Sequence, residues 1–105
     1  MRRGEVWWAE LPKPQGRRPV VLLSRDAAYR FRTAVTVATV TRQIRSIPVE
    51  VRLGPEDGMP AECVVNLDNI TTINKRLIKT RITALSPAGM SKVRDAIYFA
   101  LDLHD

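Results

Sequence analysis

The residues best placed for chemistry lie in one stretch, Gly16-Arg17-Arg18-Pro19-Val20-Val21-Leu22-Leu23-Ser24. A basic turn there feeds an apolar run too short for an ordinary helix, which reads as a strand buried on both faces. Pro19 suits the first residue of a strand because it has no backbone N–H to place in a ladder. Arg18 precedes that proline and is pushed toward extended backbone. Its guanidinium is thus carried at the mouth of a rigid strand, where two parallel hydrogen bonds to a phosphate are within its repertoire.

Other chemistries find little support. The chain has one histidine, His104, next to its end, and one cysteine, Cys63. No pair has the spacing of zinc ligands, and the adjacent carboxylates Glu56 and Asp57 sit in a turn. A Ser-His-Asp arrangement has no base but His104. No glycine-rich nucleotide loop is present. What remains is phosphodiester chemistry without a metal or cofactor. RNA brings its own nucleophile, the ribose 2′-hydroxyl. An enzyme must then accept that proton, hold the charge growing on phosphate, and protonate the leaving 5′-oxygen. Arg18 suits the second task, because arginine gives up its proton too reluctantly to serve readily in the third.

Composition agrees with a polyanion partner. The net charge is +6 over 105 residues. Residues 1–52 carry 11 Lys or Arg and 4 Asp or Glu, a net +7, whereas residues 53–105 carry 6 and 7, a net −1. Thirteen of the 17 basic residues are arginine, the type suited to bidentate phosphate contacts. The length implies one domain, residues 1–105, burying roughly two-thirds of its unfolded surface. One cysteine allows no internal disulfide, and Cys63 reads as a small buried hydrophobe. No signal-peptide core is visible, and no apolar stretch reaches the ~20 residues of a membrane helix. The expected compartment is the cytoplasm, with no membrane partner.

Several elements must position Arg18. Glu5 to Leu11 reads as a strand with Trp7, Ala9 and Leu11 on one face and Val6, Trp8 and Glu10 on the other. Pro12 to Gly16 is a constrained loop, made positive by Lys13 and Arg17. Arg25 to Arg32 reads as a helical turn or a loop. Ala34 to Thr41 is a strand, with Thr39 and Thr41 sharing a face with Val35 and Val37. Pro48 to Leu53 is another, followed by a turn at Gly54–Gly58. Cys63 to Leu67 is a short strand that Asp68-Asn69 interrupts before Ile70 to Ile73. Asn74–Leu77 is a capped turn, and Ile78 to Leu85 is extended. Ser86-Pro87 opens a helix, on which Met90, Val93, Ile97 and Ala100 or Leu101 recur at helical spacing. The expected fold is mostly β: an SH3-like barrel or half-barrel of five to seven strands with a C-terminal helix.

The run Arg18 to Ser24, preceded by Arg3-Gly4-Glu5-Val6-Trp7-Trp8-Ala9-Glu10-Leu11, resembles the opening of the MazF/PemK family of toxin endoribonucleases. Val40-Thr41-Arg42-Gln43-Ile44 and Val65 to Ile73 sit where that family's other motifs sit, so the resemblance runs over essentially the whole chain. It implies sequence-specific cleavage of single-stranded RNA by an Arg and Thr pair, here Arg18 and Thr41, leaving a cyclic phosphate and a 5′-hydroxyl. It also implies a homodimer, and a cognate antitoxin whose acidic segment covers the basic cleft. Lys13, Arg17, Arg42, Gln43, Arg45, Asn69 and Thr72 are the expected RNA-binding residues. Among them, Gln43 and Asn69 each offer a donor and an acceptor to an unpaired base. Two departures stand out. The Pro12–Gly16 loop is short and lacks the acid that some members place there, and Asn69 and Thr71 stand where the family usually has Gln and Arg. Two alternatives remain. One is a gyrase poison of the same fold, like the CcdB toxins, which end in Trp-Gly-Ile, whereas this chain ends Leu101-Asp102-Leu103-His104-Asp105. The other is a barrel that binds nucleic acid without cutting it.

Overall fold

β-Branched residues dominate the segments that must pair, and six antiparallel strands result. In the computed structural model, which describes residues 1–103, they are β1 (Glu5–Glu10), β2 (Arg17–Leu22), β3 (Ala34–Thr41), β4 (Glu50–Leu53), β5 (Cys63–Asn74) and β6 (Ile78–Ala84). They form one sheet in the order β4-β5-β3-β2-β1-β6, curled into a half-barrel. A four-residue helix, α1 (Ala28–Phe31), joins β2 to β3, and a longer one, α2 (Pro87–Ala100), ends the fold. The expected architecture is therefore borne out, with six strands in the anticipated range. His104 lies outside the described residues.

Curling gives each face of the sheet a core of its own. Val6, Val21, Val40, Val65 and Leu67 pack beneath α2 through Val93 and Ala96. Ala9, Val20, Leu22, Val35, Val37 and Ile73 form the second cluster, with Ala28 of α1 and Ile78. Val20, Val21 and Leu22 are fully buried, so β2 is apolar on both sides, as its sequence anticipated. The faces of β1 also divide as read. Trp7 packs on the second cluster and donates its Nε1–H to Glu5 (3.0 Å). Burial alone would raise the Glu5 pKa; hydrogen bonds from Trp7, Arg2 and Arg81 outweigh it and hold the carboxyl below its ordinary value.

The α2 start is as predicted. The Ser86 hydroxyl accepts the Gly89 N–H (3.0 Å), and Pro87 occupies the first turn. Val93 and Ala96 are its buried residues, while Met90, Ile97 and Ala100 are partly covered. Leu101 is exposed instead, because the helix stops at Ala100 and Leu101 caps it.

One expectation fails. Asp68-Asn69 does not break the chain: β5 runs unbroken for 12 residues. Its partners change along the way. Ala38 of β3 pairs with Ile70, and Val40 pairs with Val65, so four β5 residues lie opposite Thr39 alone. The Asn66 side chain accepts the Asp68 N–H (2.9 Å) and stabilises this bulge. The polar residues read as a break mark a bend in one continuous strand.

Gly58 closes the turn after β4 at φ 89°, a left-handed position, and a Cβ there would collide with the Thr83 hydroxyl. Gly58→Ala should cost at least about 2 kcal/mol, combining the left-handed penalty with that clash. Chemical denaturation checks this; a midpoint equal to wild type would show that the turn relaxes freely.

Candidate active site

The two strands that meet at the open end of the sheet carry the candidate pair. Val20 of β2 pairs with Thr39 of β3. Continuing that antiparallel register by two residues brings Arg18 beside Thr41. Both line a cleft of about 610 Å³. Arg17, Arg42 and Gln43 line it as well, so five of the nine expected residues converge.

Local hydrogen bonds orient the pair. Arg18 is half-buried, and its Nε–H donates to the Gln15 carbonyl of the short loop (3.2 Å). This fixes the guanidinium while leaving its terminal nitrogens for a ligand. The Thr41 oxygen accepts the Gln43 N–H (3.2 Å). With that lone pair engaged, the hydroxyl proton is free to turn toward the cleft. Arg17 stacks on Trp8, its guanidinium carbon 4.6 Å from the ring centroid. Trp8 itself lines the cleft, so of the two tryptophans on opposite faces of β1 this is the one at the site.

The other four expected residues lie elsewhere. Lys13 is exposed on the Pro12–Gly16 loop, away from the cleft lining. Arg45 is also exposed, and its backbone N–H is bound by Glu50. Asn69 and Thr72 are exposed on β5, and the Thr72 hydroxyl pairs with that of Thr36 (3.2 Å). Conversely, the cleft wall includes Cys63, expected only as a core strand residue, and Met59, Pro60 and Ala61, which lie between the expected turn and that strand. Only their spatial position marks them, since none has a side chain that signals binding. Cys63 is buried as expected. Burial, then the charges of Glu62 and Asp57, push its thiol pKa up against the opposing Arg42, so it stays protonated and is a poor nucleophile or metal ligand.

Among the described residues, three arginines and no carboxylate or imidazole line this cleft. The arrangement suits an anion. Among the described residues, no group of three or more His, Cys, Asp or Glu is placed to hold a metal. No helix among them is long and apolar enough to cross a membrane.

Glu50 controls the loop that follows Thr41. One carboxylate oxygen accepts the N–H groups of Arg45 and Ser46 (both 2.9 Å), with Ser46 held at φ 57°. The other oxygen is buried without a hydrogen-bond partner. Two charge-assisted bonds would suggest a loss of ~3 kcal/mol or more on truncation, but removing the orphan oxygen offsets part of it. Glu50→Ala should therefore cost about 1–2 kcal/mol and loosen residues 42–49. Hydrogen exchange at Arg45 and Ser46 reads this directly; unchanged protection would show that the loop holds without the carboxylate.

Comparison with known proteins agrees with this fold. A probable endoribonuclease MazF2 of Mycobacterium tuberculosis (strain CDC 1551 / Oshkosh) is 45% identical over 91 residues, 86% of this chain and 87% of that protein. A probable endoribonuclease MazF5 of M. tuberculosis (strain H37Rv) is 42% identical over 102 residues, 95% and 92% of the two chains. Among solved structures, an endoribonuclease in complex with its cognate antitoxin from a mycobacterial species superposes with a TM-score of 0.87 at 30% identity, covering 100% of this chain and 98% of the other. The M. tuberculosis toxin MazF-mt6 superposes with a TM-score of 0.88 at 30% identity, covering 96% and 99%. Residues 2–101 match the family profile as well, and the chain belongs to the PemK-like, MazF-like toxins of type II toxin–antitoxin systems.

Proposed function

We propose that this chain is a toxin that cleaves single-stranded RNA at short sequences in the cytoplasm, without a metal. The observation that carries the reading is the convergence of Arg18, Thr41 and two further arginines in one cleft that no acid among the described residues lines. The ribose 2′-oxygen attacks the adjacent phosphorus as the bond from phosphorus to the 5′-oxygen breaks. The departing 5′-oxygen takes a proton from water, and a 2′,3′-cyclic phosphate and a 5′-hydroxyl result. Arg18 holds the non-bridging oxygens and offsets the charge that grows on them. Thr41 donates toward the same centre and orients the nucleophile. No lining side chain among the described residues is a conventional base, so the 2′-proton passes to a phosphate oxygen or to water, and catalysis rests on charge placement. Gln43 and Arg42 read bases at the rim, while Trp8 with Arg17 offers a stacking surface.

The same positive cleft fits an acidic segment of a cognate antitoxin. A second copy of the chain is supported by large apolar side chains left uncovered near the end of α2, with Tyr98 50% and Phe99 61% exposed. The deciding experiment incubates the protein with long single-stranded RNA in excess EDTA and maps the new 5′ ends. Discrete cuts bearing 5′-hydroxyls are expected. Intact RNA, or ends carrying 5′-phosphate, would sink the reading.

A further inference from the structure

We propose that the end of the sheet opposite the cleft is a second contact surface for single-stranded RNA, centred on Phe31. The cleft lies where β2 begins and β3 ends; α1 joins the end of β2 to the start of β3 and therefore sits at the other pole. Phe31 on α1 is 79% exposed, more than any other large apolar side chain described. It borders a hollow of about 510 Å³ with Arg2, Asp26, Tyr29 and Arg30. Arg3, Arg25 and Arg32 are exposed beside it in the chain. The segments 1–3 and 25–32 thus bring five arginines against one carboxylate, Asp26, which already accepts the Arg3 N–H (2.7 Å).

This platform is fixed. The Lys75 ammonium donates to the Tyr29 carbonyl (2.9 Å), the Tyr29 hydroxyl donates to the Ser24 carbonyl (3.0 Å), and Ala28 is buried. An aromatic ring held outward among arginines is a stacking platform with phosphate contacts around it, and it tolerates any base. A second copy fits poorly, because a two-fold contact would set the same arginines against one another. Nucleic acid fits better, since each nucleotide supplies both a π-face and a phosphate. The length of β2 puts the surface roughly 20 Å from the cleft, so RNA must extend beyond the cleft to reach it. The proposal rests on the cleft being the RNA-cutting site.

The test uses RNA with every 2′-hydroxyl methylated, which the enzyme cannot cut, in lengths of about 6 and about 20 nucleotides. The variant Phe31→Ala with Arg30→Gln and Arg32→Gln should bind the long RNA about tenfold more weakly. Its salt dependence on long RNA should flatten by about 1.4 in log–log slope for the two lost arginines. Affinity for the short RNA should not change, and Phe31→Trp should retain long-RNA binding. Equal loss on both lengths, or loss on neither, would overturn the proposal. Long-RNA affinity that survives while binding of a poly-glutamate peptide is lost would assign the surface to an acidic protein segment instead. Wild-type protein that binds long RNA but not short RNA, with long-RNA binding lost in the variant, would overturn the cleft reading and leave the Phe31 surface standing.

Discussion

Arg18→Ala is expected to reduce RNA cleavage by about 10³-fold, the effect of removing a principal charge stabiliser from a phosphoryl transition state. Its fold should survive. The side chain is half-buried and makes one hydrogen bond to protein, to the Gln15 carbonyl. Losing that bond costs about 1 kcal/mol, a shift of a few degrees in melting temperature. Arg18→Lys should recover little activity, because a single ammonium cannot make the two parallel bonds of a guanidinium. Single-turnover rates on a defined RNA, with melting curves on the same samples, separate chemistry from folding. Near-normal cleavage by a well-folded Arg18→Ala protein would remove Arg18 from the mechanism and shift attention to Arg17 and Arg42 beside it.

Thr41→Val is expected to lower the rate about 10²-fold while changing RNA affinity less than about threefold. Valine nearly reproduces the shape of threonine and its β-branched fit to the strand. What is lost is an acceptor for the Gln43 N–H and a donor into the cleft. The Gln43 residue is exposed, so water replaces the first at a cost below about 1 kcal/mol. Nothing replaces the second. Thr41→Ser should keep most of the activity. Equal losses in rate and affinity would make Thr41 a contributor to the shape of the cleft, with no part in the reaction itself.

The sequence displayed strongly whatever local physics controls. The Pro19–Leu23 run, the Ser86-Pro87 helix start and the split faces of β1 each follow from short-range rules, and the structure contains all three. The course of β5 is different. Asp68 and Asn69 carry turn character and have no ladder partner of their own; pairing of the residues before them with β4 and β3, and after them with β3, carries the strand through. Register is also non-local: nothing near Arg18 in the chain announces that Thr41 will lie beside it. Met59, Pro60 and Ala61 line the cleft because a turn folds them back, with Gly58 supplying the left-handed residue. Asn69 and Thr72 show the reverse error. Their chemistry suits base recognition, but the strand carries them away from the cleft lining.

The burial of β2 on both faces has a consequence for how the enzyme would fail. Amides in such a strand exchange with solvent only when the whole molecule opens, whereas exposed loops open at a small fraction of that free energy. Arg18 is anchored to the first kind of segment, and Arg42 and Gln43, the proposed base readers, belong to the second. Mild heat or denaturant therefore reaches the reading parts before the cutting part. A partly loosened toxin would go on breaking RNA with its choice of target degraded, and fidelity would have a lower melting point than activity.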